Sequence, residues 1–147
     1  PSLISWPAKI SGGEKLKQPS STLDYFPTLL DMIGIQPETN RKLDGESLWP
    51  LIQNQVTERK KPMVFCSGIQ GAVIDGEYKL YYKKGEYELY NIPQDPGEKN
   101  NIVSLFPEKK ELLEIILKQQ VDDYKRSFEN KEPEECLDWQ EWWNIWE

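Results

Sequence analysis

Between Met63 and Tyr90 the chain alternates apolar and polar residues in short runs, and after Pro107 the apolar residues recur at helical spacing. The runs at 63–66, 71–74, 78–82 and 87–90 are rich in β-branched and aromatic residues, and the pairs Ser67-Gly68, Asp75-Gly76 and Lys84-Gly85 separate them. An Asp-Gly pair between such runs is a strong hairpin signal. Four strands in succession predict an antiparallel meander with one face that needs cover. The cover follows directly. Pro107 opens a helix whose stripe is Leu112, Leu113, Ile116, Leu117, Gln120, Tyr124 and Phe128. The predicted class is α+β: a small four-stranded antiparallel sheet covered by one long helix.

The first sixty residues follow a different pattern. Leu3, Ile4 and Trp6 form an apolar segment closed by Pro7, and Gly12-Gly13 mark a turn, which predicts a strand leading into a loop. Ser20, Ser21, Thr22 or Asp24 then caps a helix with the apolar set Tyr25, Phe26, Leu29, Leu30, Met32 and Ile33, and Gly34 stops it. Pro27 is tolerable there only in the first turn. Residues 35–61 are irregular apart from a short helical turn at 47–53. Lys60-Lys61-Pro62 reads as a boundary. Beyond Phe128 an acidic stretch precedes Trp139, Trp142, Trp143 and Trp146, which share one side of a short helix. Such stripes usually pack onto their own protein; sugar stacking and a partner surface are the alternatives.

Composition narrows the function classes. The 147 residues are 37% hydrophobic and 29% charged, enough for one domain with a core, or for a small domain plus an arm from a larger one. With 25 acidic and 18 scattered basic residues the net charge is −7, which argues against nucleic acid. No apolar run reaches the roughly 18–20 residues that span a bilayer. The first residues lack the features of a signal peptide, and a start at Pro1 without Met is that of a fragment or processed product. Whether Cys66 and Cys136 pair, and hence the compartment, is left open. The chain has no histidine. The easiest acid, base and metal ligand near neutral pH is therefore missing.

Three stretches resemble a known family: Gln18-Pro19-Ser20-Ser21-Thr22-Leu23-Asp24-Tyr25-Phe26-Pro27-Thr28-Leu29-Leu30-Asp31, Leu43-Asp44-Gly45-Glu46-Ser47-Leu48, and Glu88-Leu89-Tyr90-Asn91 through Asn101. Their order and spacing are similar to the C-terminal region of formylglycine-dependent sulfatases of the alkaline phosphatase superfamily. The resemblance covers about residues 1–125 and leaves the Trp-rich tail without a counterpart. It implies a parent enzyme that hydrolyses sulfate monoesters, of a sugar or other organic alcohol, with formylglycine and a divalent cation such as calcium. On this reading residues 1–60 are an arm of the large α/β domain, 61–128 the C-terminal subdomain and 129–147 a tail. The partners implied are the missing N-terminal catalytic domain and a sulfated small molecule or glycan.

None of the family's chemistry is expected in this chain. Sulfate ester cleavage needs a protonated leaving oxygen and compensated charge on the sulfuryl oxygens. Neither cysteine lies in a C-x-P-S-R motif, and Ser5-Trp6-Pro7-Ala8-Lys9 has the shape without the arginine. Asp24, Asp31 and Asp44 are read as caps and turns rather than metal ligands. The family often has an arginine just before the Ala-Val of the second strand, where this chain has Gly71. The loop from Ser67 to Gln70 remains, and Ser67 and Gln70 are the candidate substrate contacts. Leu3, Ile4, Phe26 and Leu29 are expected to bury against the absent domain, leaving an apolar patch that invites self-association. Two rival readings stay open: a phosphate or phosphonate ester hydrolase of the same superfamily, and a free-standing carbohydrate or protein interaction module.

Overall fold

The computed structural model describes residues 2–36 and 43–129, with side chains through residue 127. The Trp139–Trp146 stripe and any pairing of Cys136 lie outside the described residues. The chain divides into two units, Pro1–Lys61 and Pro62–Glu147.

In the first unit the predicted cap is built as a capping box. Ser21 Oγ accepts from Leu23 N at 3.1 Å, and Asp24 Oδ2 accepts from Ser21 N at 2.8 Å. A 3-10 turn over Thr22–Asp24 leads into α1, Tyr25–Ile33, with Pro27 in the first turn, where its missing N–H costs nothing. Gly34 ends α1 in the left-handed conformation. A second short helix, α2, covers Trp49–Ile52. Thr28 links the two: its Oγ1 donates to Asp24 O at 2.6 Å and accepts from Leu48 N at 2.9 Å.

Two expectations for this unit need restating. Leu3–Trp6 is not a strand. Trp6 O instead accepts from Lys9 N and Ile10 N, both at 2.8 Å, so the segment runs into a turn, and the Trp6 ring stacks on Trp49 at 6.2 Å. Asp44-Gly45 is more than turn chemistry. A Cβ on Gly45 would lie 2.1 Å from Leu23 O, so glycine is required there by close backbone approach.

The second unit is the predicted meander. Strands β1 (Met63–Ser67), β2 (Gln70–Asp75), β3 (Tyr78–Lys83) and β4 (Glu86–Asn91) form one antiparallel sheet in chain order, followed by α3, Pro107–Glu129. The core is Val73, Leu80, Tyr82 and Leu89 from the sheet against Leu113 and Leu117 from the helix. The helical stripe is rotated from its expected position. Leu112 is 49% exposed, whereas Val121 is buried, so the contact line is Leu113, Leu117, Val121 at i, i+4, i+8. The loop after β4 is held by short polar side chains. Asp95 Oδ2 accepts from Lys99 N and Asn100 N, each at 2.8 Å, and Asn101 Oδ1 accepts from Leu89 N at 3.1 Å.

Candidate functional site

Side chains alternate across the sheet, so the residues that do not meet α3 form a second face. On the helix side lie Val64, Cys66, Val73, Leu80, Tyr82, Tyr87 and Leu89. The opposite parity places Ser67, Gln70, Lys83 and Glu86 in one cross-strand row, and Phe65, Ala72, Tyr81 and Glu88 in the next. Phe65 is 43% exposed on this face.

Ser67 and Gln70 are brought together. They are direct register partners at the tip of the β1–β2 hairpin. Gly68, with φ of 55°, opens the two-residue loop, a conformation that favours glycine. Ile69 O accepts from Lys84 N at 3.3 Å, which ties the tip to the end of β3. Tyr81 reaches diagonally from β3, and its hydroxyl donates to Gln70 Oε1 at 2.7 Å. Neither Tyr81 nor Lys83 was among the residues expected at this place. Period-two parity counted from the apolar Leu80 and Tyr82 puts both on the Gln70 face, but only the register makes them neighbours.

Farther along the face, Lys79 pairs with Glu98 at 2.7 Å, and the Tyr90 hydroxyl donates to Glu88 Oε2 at 2.9 Å. Burial, reinforced by that carboxylate, pushes the Tyr90 phenol up to about 12. Cys66 faces the helix, and burial pushes its thiol up to about 11, so it stays protonated near neutral pH. Among the described residues no three His, Cys, Asp or Glu side chains come together to hold a metal ion.

The aspartates of the first stretch have structural partners. Asp24 is fully buried and accepts from Ser21 N, from Glu46 N at 3.0 Å and from both terminal nitrogens of Arg59 at 3.0 and 3.1 Å. Burial pushes its carboxyl up, but the guanidinium and the two backbone N–H groups outweigh it, and the net shift is downward. Asp31 accepts from Ser47 Oγ at 2.6 Å.

Comparison with known proteins identifies the family and the fold. The family described as N-sulphoglucosamine sulphohydrolase, C-terminal, matches residues 1–127. Arylsulfatase K of Danio rerio is 29% identical over 157 aligned residues, covering 96% of this chain and 29% of that protein. Steryl-sulfatase of Rattus norvegicus is 33% identical over 75 residues, covering 50% and 13%. Among solved structures, one in complex with k-i-k-neocarrahexaose has a TM-score of 0.65 at 24% identity, covering 87% of this chain and 28% of that one. Another, in complex with its substrate D-glucosamine-2-N,6-O-disulfate, has a TM-score of 0.63 at 22% identity, covering 84% and 28%. These structural likenesses speak for the fold. This chain therefore spans less than a third of the length of each of these relatives. With residues 1–127 matched by the family and the same sheet-and-helix fold in its neighbours, the chain belongs to the sulfatase family whose C-terminal region is described as that of N-sulphoglucosamine sulphohydrolase.

Proposed function

We propose that this chain is the non-catalytic C-terminal part of a sulfatase that hydrolyses sulfate monoesters of sugars, and that the β1–β2 tip closes one wall of its substrate pocket. Residues 1–60 then belong to the large catalytic domain as an arm, 61–128 form the C-terminal subdomain and 129–147 a tail. The observation that carries this reading is that Ser67 and Gln70, direct register partners at a hairpin tip, place a hydroxyl and an amide side by side on the sheet face away from α3. Relatives solved with a sulfated glucosamine and with an oligosaccharide support sugar as the alcohol. Formylglycine and a calcium-like cation are assigned to the upstream domain: neither cysteine of this chain lies in a C-x-P-S-R motif, and among the described residues no three His, Cys, Asp or Glu side chains come together. The exposed apolar residues Leu3, Ile4, Phe26 and Leu29 supply surface for contact with that domain or, without it, for self-association.

The role of this chain is binding. Uncharged donors held by a rigid hairpin orient a sugar without taking part in bond cleavage. In the full-length protein, Ser67→Ala and Gln70→Ala are expected to raise KM for sulfated sugars with kcat little changed. Unaltered KM in both variants would remove the wall assignment. The isolated 147-residue chain is expected to turn over no aryl sulfate, and activity in a pure sample would overturn the non-catalytic reading.

A further inference from the structure

The row that contains Ser67 and Gln70 does not stop at them. Gln70 is paired in register with Lys83 on β3, and directly opposed residues point to the same face. Ser67, Gln70 and Lys83 therefore place a hydroxyl, an amide and an ammonium in a line across three strands, spaced about 4.8 Å apart. Lys83 is exposed, and no ion pair links it to Glu86, its partner on β4, among the described residues.

Tyr81 decides which end of the Gln70 amide is presented. A phenol has one proton, and here it is given to Gln70 Oε1 at 2.7 Å. The acceptor end of the amide is thereby occupied. The Nε2 end has two N–H donors, and among the described residues no protein acceptor takes them. All three members of the row then offer protons toward the same side, and one of them is a full cation.

We infer that the row Ser67–Gln70–Lys83 is a subsite for an oxyanion carried by a sugar, a sulfate ester or a carboxylate other than the group being cleaved, with Tyr81 as the residue that positions Gln70. This rests on the pocket-wall reading above and adds to it a ligand class and two residues. Glu86 at the end of the row opposes a second negative charge, so the subsite holds one oxyanion beside Lys83.

The test is steady-state kinetics of the full-length protein on p-nitrophenyl sulfate, which has only the scissile group, and on sugar sulfates that add a second sulfate or a carboxylate. Lys83→Gln is expected to raise KM roughly tenfold on the doubly anionic sugars, the scale of one hydrogen bond to a charged group, and to leave the aryl sulfate unchanged. Tyr81→Phe is expected to raise KM about threefold alone and to add nothing on a Gln70→Ala background, the signature of action through that amide. Glu86→Gln is expected to lower KM on the same sugars. The sulfate and carboxylate arms identify which oxyanion is taken. If Gln70→Ala and Ser67→Ala raise KM while Lys83→Gln and Tyr81→Phe do not, the subsite is overturned and the wall stands. If Ser67→Ala and Gln70→Ala have no effect on any substrate, the wall itself is lost. Melting curves of each variant guard against misfolding. As a second measure, the Gln70 side-chain amide resonance of the 147-residue chain is expected to move on titration with glucosamine 6-sulfate and not with glucosamine; an unmoved resonance counts against the subsite.

Discussion

Arg59 grips Asp24 with both terminal nitrogens, at 3.0 and 3.1 Å, across 35 residues of chain. The same guanidinium donates to Pro19 O at 3.0 Å and, through Nε, to Lys61 O at 2.8 Å. Asp24 also completes the capping box of Ser21, so one buried carboxylate joins the entry of α1 to the end of the unit. Removing one partner strands a buried charge. Arg59→Met is expected to cost about 3–5 kcal/mol, the scale of a broken buried pair, read by urea unfolding. A loss below about 1 kcal/mol would show that the pair is not structural.

Gly45 tests the close approach to Leu23 O. Gly45→Ala is expected to cost about 1–3 kcal/mol, because the clash is with backbone that cannot swing away. Gly97→Ala is the control. Its added Cβ meets only the flexible Lys99 side chain at 3.3 Å, and its melting temperature is expected to stay near that of the parent.

The rotation of α3 makes a paired prediction. Leu113→Ala is expected to cost about 2–5 kcal/mol, whereas Leu112→Ala, half exposed one residue earlier, is expected to stay within about 0.5 kcal/mol. Equal losses would mean that the helix presents a different face to the sheet.

Acid stability is expected to depend on Glu114. Burial pushes its carboxyl up, but Lys110, Lys118 and the Tyr87 hydroxyl outweigh that and hold it at about 2, below its ordinary 4.5. A carboxylate depressed on folding stabilises the protein at pH above the unfolded value, and this is lost as pH falls toward the folded value. Between about pH 4.5 and pH 2 the parent is expected to lose stability more steeply than Glu114→Gln. Superimposable pH-melting curves would refute it.

Much of the second unit was legible in the sequence because its signals are local. Period-two runs and the Gly-containing pairs at 67–68, 75–76 and 84–85 mark four strands, and Pro107 with its helical spacing marks α3 to within a residue or two. The Gly34 stop was equally readable and the cap was narrowed to Ser20, Ser21, Thr22 or Asp24, since each acts within a few residues of itself; the structure singles out Ser21. The Leu3–Trp6 strand was misread because a strand is defined by a partner that local pattern does not contain.

By itself, then, the sequence determined the four strands and the long helix of the second unit, their order, the helix that Gly34 stops in the first, and the family, through backbone propensities and motifs that need no distant contact. Only the tertiary structure decided that Arg59 meets Asp24, that Leu112 faces out while Val121 faces in, and that Tyr81 and Lys83 stand beside Gln70. The first depends on how the chain between α1 and Arg59 folds back on α1, the others on the rotation of a helix against a sheet and on strand register, and all are set by the packing of a whole unit rather than by any short run of residues.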